Sequence, residues 1–389
     1  MAMKIALVYF NAGGGHRAAA QALDAVIREQ GRPWEVSQVN LFEVLDPQGL
    51  FRRITGMAPE DYYNKRLAKG WTLGLAQELR LLQAAIRLGH GAMTRQLAAY
   101  WQAESPDLVV SLVPNFNRAL YQSLAQACPG VPYVTVLTDI ADHPPSFWIE
   151  PGQDQHLVCG SARAVEQALA AGYAPARVHR SSGMILRPDF YRAPQTDRAA
   201  ERRAQGFDDE RPVGVVLFGG HGSKVMKRIA RELPDTPLIL LCGHNDALAK
   251  SLRALPAAAP RLVVGHTEEV ARYLRMGDFF IGKPGPGSVS EALHCGLPVI
   301  VTRNTWTMPQ ERYNTDWVRE QGVGLVLPGF NTLADAVPKL IAQLPQLRER
   351  VHRLDNRAVF EVPELLARLL AARVRPRSQE IREAVTAMS

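Results

Sequence analysis

The sequence predicts an α/β protein of two Rossmann-like domains, each a parallel sheet covered by helices on both faces. Three observations predict it. Almost wholly apolar strand-like runs alternate with helical segments, a glycine-rich strand-to-helix turn opens each half, and 389 residues exceed what one core usually organises. With 47% hydrophobic residues the chain can bury two sizeable cores.

The first run, Ile5 to Phe10, ends in Asn11-Ala12-Gly13-Gly14-Gly15-His16-Arg17 and opens into an alanine-rich helix from Ala18 to Gln30. Consecutive glycines let the backbone approach a ligand closely, and a helix start offers unpaired N–H groups with partial positive charge. His16, set in that turn, is the side chain best suited to proton transfer near neutral pH. Further strands are expected at Trp34 to Val39, Leu108 to Leu112 and Tyr133 to Leu137. Just past the last lies Thr138-Asp139-Ile140-Ala141-Asp142-His143-Pro144-Pro145, with Phe147-Trp148 behind it. Residues at the carboxyl end of a parallel strand point into the crevice where such sheets bind ligands, so Asp139 or His143 can orient or activate a hydroxyl there. An aspartate after a strand also serves as a helix cap.

The second half repeats the pattern. Val213 to Phe218 leads into Gly219-Gly220-His221-Gly222-Ser223 and a basic helix from Lys224. Strands are expected at Leu238 to Cys242, Leu262 to Val264, Phe279 to Ile281 and Val299 to Val301. A third glycine-rich turn, Gly282-Lys283-Pro284-Gly285-Pro286-Gly287-Ser288, precedes a helix from Val289 to Cys295, giving this half two adjacent backbone cradles. Between Ser182 and Arg211, two prolines and a charged run from Asp197 interrupt the apolar pattern. Domains are therefore expected at 1–190 and 191–389, with the last helix packing back on the first domain and the active site in the crevice between them. The tail from Arg373 reads as a closing helix with a basic start and no chemistry.

The stretch 47–101 reads differently, as a basic helical insertion. Arg52, Arg53, Lys65, Arg66, Lys69, Arg80, Arg87 and Arg95 outnumber Glu60, Asp61 and Glu78, interleaved with Leu50, Phe51, Ile54, Tyr62, Tyr63, Trp71 and several leucines. Such a face can lie on an anionic membrane surface, each cation contributing about 1 kcal/mol near the headgroups. An ordinary amphipathic insertion with a solvated face has the same composition. The formal charge of +7 comes with no nucleic-acid-binding motif, so nucleic acid is not expected as a partner.

Cys128, Cys159, Cys242 and Cys295 form no Cys-x-x-Cys pair, so reduced thiols are expected rather than a zinc site or a disulfide framework. The N-terminal apolar run is too short for a signal core, and no later run approaches the ~18 residues of a spanning helix. A cytoplasmic protein, peripheral on the cytosolic face of a membrane, is expected. A dinucleotide oxidoreductase would want a final glycine in the first turn and an acid where Val39-Asn40-Leu41 stands; a P-loop would want Gly-Lys-Ser/Thr, whereas Gly222-Ser223-Lys224 has the order wrong.

The ordered set of motifs resembles, over most of the chain, the GT-B glycosyltransferases that include monogalactosyldiacylglycerol synthase and the processive diacylglycerol glucosyltransferases. The peptidoglycan lipid-precursor N-acetylglucosaminyltransferase is a more distant likeness. The matching pieces are Ala12 to Ala19, Leu137-Thr138-Asp139 with His143 and Trp148, and Cys242-Gly243-His244-Asn245 with Leu248. They continue through Val264-Gly265-His266-Thr267, Lys283 to Ser288 with Ser290-Glu291-Ala292-Leu293, and Pro309-Gln310-Glu311 with Asn314.

The resemblance implies that the second domain binds a nucleotide-sugar donor, usually a UDP-sugar, and the first an acceptor. Gly219, Gly220, Gly222 and Ser223, with Gly285, Gly287 and Ser288, would set N–H groups against the diphosphate; Gly243 and Asn245 lie in a further matching piece. It implies that Glu291 grips the ribose hydroxyls, that Gly265, His266 and Thr267 form the base-binding segment, and that Gln310, Glu311 and Asn314 contact the donor sugar. His16 is then the leading base for the acceptor hydroxyl or a contact to the donor phosphate, with Asp139 its rival and His143 nearby, in an inverting transfer. No Asp-x-Asp occurs, so neither a metal held in that way nor a cofactor is expected. Asn11 departs from the aspartate of the galactolipid synthases. A membrane lipid such as diacylglycerol is the expected acceptor. A hydrolysing UDP-sugar epimerase and a non-catalytic nucleotide-sugar-binding protein share the architecture. Sugar identity, processivity and oligomeric state are not legible.

Overall fold

A computed structural model of the chain describes residues 2–11, 14–49, 52–53, 56, 75–194, 196–208 and 210–387. Among these, the strands form two six-stranded sheets in which every pair is parallel. The first sheet holds β1 (Met3–Tyr9), β2 (Trp34–Asn40), β3 (Leu108–Ser111), β4 (Tyr133–Val136), β5 (His156–Cys159) and β6 (Val178–Arg180), in the order β2-β1-β3-β4-β5-β6. The second holds β7 (Gly214–Leu217), β8 (Leu238–Leu241), β9 (Arg261–Val264), β10 (Phe279–Gly282), β11 (Val299–Thr302) and β12 (Gly324–Leu327), in the order β12-β11-β10-β7-β8-β9.

Helices α1 (Gly15–Glu29), α2 (Leu41–Leu45), α3 (Leu75–Glu104), α4 (Asn117–Ala127) and α5 (Ala162–Ala170) accompany the first sheet. The second is accompanied by α6 (Arg198–Ala204), α7 (Val225–Glu232), α8 (Asp246–Arg253), α9 (Val270–Met276), α10 (Pro286–His294), α11 (Arg312–Gln321), α12 (Leu333–Ala342) and α13 (Leu344–His352), and α14 (Ala358–Ala387) closes the chain. The central strands are buried along their whole length, which is why they read as almost wholly apolar runs.

The chain divides into two compact units. One combines the opening elements with Gln77–Arg187 and the chain from Arg357 onward; the other includes Pro188–Asn356. Hydrogen bonds hold the closing segment to the first unit: Arg357 N donates to Ser182 Oγ at 2.7 Å, Ser182 N to Glu361 Oε2 at 2.8 Å, and Arg373 to the Asp107 carbonyl at 2.8 Å. Of the basic stretch 47–101, helix α3 takes the later part, while Leu50, Phe51, Ile54 and residues 57–74, with Lys65, Arg66, Lys69 and Trp71, lie outside the described residues.

The charged run after Asp197, expected as a break between domains, contains a helix. Asp197 caps α6 by accepting from Ala200 N, and two arginines of that helix, Arg198 and Arg202, converge with Arg348 on the buried Asp278. A helix that docks through guanidinium groups carries little apolar periodicity, and its sequence reads as linker.

Candidate functional site

Strand order decides where ligands sit on an open parallel sheet: in the crevice at the carboxyl ends of the two neighbouring strands where the winding reverses. In the first sheet those strands are β1 and β3, and in the second β7 and β10. The turn holding His16 follows β1, and the two later glycine-rich turns follow β7 and β10. Each turn singled out in the sequence therefore stands at a reversal point of its own sheet.

In the first unit Gly14 adopts the left-handed conformation, φ 77°, that lets the chain turn sharply into α1; Ala12 and Gly13 lie outside the described residues. His16 then packs against Phe10 and Trp148, with ring centroids 4.6 and 5.8 Å away, and its Nδ1 lies 3.1 Å from Thr138 Oγ1. Burial pushes the imidazole down to about 4, against an opposing backbone hydrogen bond at Leu112, so the ring is neutral at physiological pH.

Asp139 is buried and accepts a hydrogen bond from Trp148 Nε1 at 2.9 Å. The carboxylate thus grips the indole that packs on His16. Asp142, also buried, folds the following loop by accepting from Ser146 N at 3.0 Å and Trp148 N at 2.6 Å, and half-buried His143 lies within that loop. Asn117 braces the same loop from α4, donating to the Val113 and Trp148 carbonyls while its Oδ1 accepts from Ser111 Oγ at 2.7 Å and Tyr133 OH at 2.9 Å. Beside it a cleft of about 260 Å³ is lined by Gln83, Arg87, His90, Asn115, Arg118 and Glu150 among others. Arg118 pairs with Glu150 at 3.3 Å; burial nonetheless pushes that carboxyl above its usual range.

In the second unit the loops after β7 and β8 are laced together. His244 N donates to Gly220 O at 2.8 Å and Asn245 Nδ2 to His221 O at 3.1 Å, while Asn245 Oδ1 caps α8 by accepting from Leu248 N. A side chain at Gly243 would put its Cβ 2.1 Å from Gly220 O, so this crossing requires glycine. Gly219 and Gly222 both turn with positive φ, and Ser223 leads into α7. After β9, Gly265 and Thr267 flank His266, whose ring stacks on His244 with centroids 3.7 Å apart.

The β10 turn ends in α10, where Gly285 is extended at the cap and Pro286 occupies the first turn. Gly287 and Ser288 follow with N–H groups that have no intrahelical acceptor, and the space around Gly287 is open. Glu291, three residues past Ser288, shares its face of the helix. A second segment straps this turn. Glu311 accepts from Lys283 Nζ at 2.8 Å, and Asn314 Nδ2 donates to Pro284 O at 2.7 Å, while the buried Asn314 Oδ1 has no partner. Gln310, part-exposed, directs its amide toward Met308 Sδ at 3.8 Å.

Comparison with known proteins finds both sequence relatives and structural neighbours. The sequence family described as monogalactosyldiacylglycerol (MGDG) synthase matches residues 16–181, the span that carries His16, Asp139, His143 and Trp148. A rice protein (Oryza sativa subsp. japonica) named as a probable monogalactosyldiacylglycerol synthase 2, chloroplastic, is 27% identical over 354 residues, covering 83% of this chain and 70% of the relative. Acinetobacter baumannii MurG shares the fold, with a TM-score of 0.59 at 13% identity over 95% of this chain and 100% of that one. The chain has the GT-B fold and is similar to the monogalactosyldiacylglycerol synthases. Another structure, Anabaena Alr3699/HepE in complex with UDP-glucose, matches with a TM-score of 0.52 at 15% identity over 95% of this chain and 100% of that one.

Three parts of this site escaped the sequence reading. Lys283 was visible only as a motif residue, Asn117 as one polar residue at a helix start, and the Arg118–Glu150 pair joins residues 32 apart that no motif links. A charged residue inside Gly-Lys-Pro-Gly was the available signal for the first. No described helix is long and apolar enough to cross a membrane.

Proposed function

We propose that this protein is an inverting hexosyltransferase that moves a sugar from a UDP-sugar to a hydroxyl of a membrane lipid such as diacylglycerol. The observation that carries the reading is the pair of glycine turns flanking the β7/β10 reversal point, with Glu291 one turn beyond the second. The turns bring backbone N–H donors to one place, where a diphosphate leaving group needs them. The bound nucleotide sugar of the HepE structure supports that donor class, and the likeness to MGDG synthases supports the lipid acceptor.

In this reading the second unit holds the donor. Gly219, Gly220, Gly222 and Ser223, with Gly243 and Asn245 behind them, and Gly285, Gly287 and Ser288 face the diphosphate. Glu291 accepts from the ribose hydroxyls, Gly265, His266 and Thr267 meet the base, and Gln310, Glu311 and Asn314 meet the sugar. The acceptor oxygen attacks the anomeric carbon, the bond to the diphosphate oxygen breaks with its electron pair leaving on UDP, and the hydroxyl proton passes to His16. A ring held near 4 is neutral and can take up a proton. Asp139 keeps Trp148, and through it His16, in place.

The lipid side has support on α3. Leu81 and Leu88 are 70% and 89% exposed, and they are seven residues apart, so they share one stripe with Arg95 beside the stripe of Arg80 and Arg87. Leu81→Asp combined with Leu88→Asp is expected to weaken binding to anionic vesicles about tenfold or more, read by flotation, because each burial in the headgroup boundary contributes roughly 1–3 kcal/mol. Unchanged flotation would return α3 to an ordinary solvated face.

The function itself is tested by UDP release from a panel of UDP-sugars, with and without diacylglycerol vesicles containing anionic lipid. Release that requires one sugar and the vesicles supports lipid glycosylation; release without any acceptor favours the hydrolysing epimerase reading. Glu291→Ala is expected to weaken UDP binding by roughly 10–100-fold by calorimetry, the equivalent of losing hydrogen bonds to a charged acceptor. Wild-type affinity in that variant would remove Glu291 from the ribose site.

A further inference from the structure

We infer that Lys283 is a positioning residue for the donor sugar: by holding Glu311 Oε1, it fixes that carboxylate as an oriented acceptor for a sugar hydroxyl beside the α10 cradle. The inference rests on the donor reading above and adds a residue that the reading leaves without a role.

The geometry has three parts. Glu311 is 4% exposed, and a carboxylate this deeply buried is tolerated only when paired and hydrogen-bonded. Lys283 supplies the charge partner at 2.8 Å, taking Oε1, and no described residue is found on the other oxygen. The lysine side chain itself is 36% exposed, so the pair lies at the edge of the buried region and within reach of solvent. The pair also touches the cradle: a Cβ built at Gly285 would lie 3.4 Å from both Glu311 Oε1 and Lys283 Cε.

Asn314 fixes the other side of the same turn through its bond to Pro284 O, so Lys283 and the residues before the cradle are held between two side chains of one segment. A carboxylate oxygen accepts only, and it matches a hydroxyl better than a water-filled space does. A sugar hydroxyl donating to Glu311 Oε2 would complete the carboxylate's hydrogen bonding. The phosphate groups gain little from Glu311, whose charge repels them. Lys283 therefore acts on the hexose moiety through Glu311 and only weakly on UDP.

That division sets the test. Dissociation constants for UDP, UDP-glucose and UDP-galactose would be measured on the full-length protein for wild type, Lys283→Met, Lys283→Arg and the charge-swapped pair Lys283→Glu with Glu311→Lys. The wild type is expected to bind one UDP-hexose more tightly than UDP. Lys283→Met should lower the melting temperature, because it leaves the buried Glu311 carboxylate without its partner, yet keep UDP affinity within about twofold while losing most of that hexose advantage, about tenfold, the size of one charge-assisted hydrogen bond. Lys283→Arg should restore it, because the guanidinium can still hold Oε1. The swapped pair should fold yet stay without the advantage, since it places a cation where the hydroxyl needs an acceptor. Equal losses for UDP and UDP-hexose would overturn the inference by putting Lys283 on the diphosphate, and unchanged affinities would reduce the pair to a structural contact. A wild type that binds UDP but gains nothing from a hexose overturns it as well, whereas a wild type that binds no UDP fails the donor reading itself.

Discussion

His16→Ala is expected to lower turnover by about 10²–10⁴-fold, the range spanned by removal of a general base, while UDP affinity stays within about twofold. The expectation follows from its setting. The imidazole is held between Phe10 and Trp148 at a strand-to-helix turn, and burial keeps it neutral. A group with a value near 4 also fixes the shape of the pH profile: the acid limb of kcat/KM should fall near 4 rather than near 6.5, and His16 should add no inflection between pH 6 and 8. Asp139→Asn offers the comparison, because an asparagine oxygen can still accept from Trp148 Nε1. Turnover lost in Asp139→Asn and kept in His16→Ala would transfer the base to the aspartate.

Asp278→Asn is expected to destabilise the second unit by about 3–5 kcal/mol, because it leaves the buried Arg202 guanidinium without a counter-charge. Arg202 is almost wholly buried, Arg198 donates to Asp278 Oδ1 at 2.7 Å, Arg348 joins them, and Val213 N donates to Oδ2 at 2.8 Å. Burial opposes the charge on Asp278, but the Val213 N–H and the guanidinium groups of Arg198 and Arg202 outweigh it and hold the carboxyl below its usual range. The folded value is depressed, so the stabilisation is fully present above the unfolded carboxyl value of about 4 and is lost as pH falls through the lower folded value. Urea unfolding should show a midpoint lower by about 1 M or more in the variant at pH 7, with the difference from wild type narrowing below pH 4. A midpoint within error of wild type at pH 7 would mean that solvent, not Asp278, neutralises these arginines.

The two sheets were legible because their central strands are almost wholly apolar and their turns are spelled in glycine. The edges were not. Strand β6 is Val-His-Arg, with His179 bonded to His156 at 2.9 Å, and half-buried β12 starts at Gly324, so neither carries the apolar run that marks a central strand. Helix α6 was hidden for the reason given by Asp278: its inward face is arginine. At the site, the spacing from Gly285 to Glu291 could be read in sequence because one helix contains it. The grip of Asp139 on Trp148 requires a loop to fold back, and the bond from Lys283 to Glu311 joins residues 28 apart on different elements. Contacts of that kind exist only once the fold has formed.

Because the chain from Arg357 onward is hydrogen-bonded to Ser182 and Asp107, the first unit owns both ends of the polypeptide and the second is a guest inserted between residues 187 and 357. The returning edge at Arg357 is hydrogen-bonded to Ser182, five residues before the departing edge, so the host's two cut edges are near in space, as a tolerated insertion requires. Shortening the protein from its C-terminus consequently strips a helix from the first unit, not from the second, which precedes that helix in sequence. An excision that leaves the host whole must instead join the chain across those two edges.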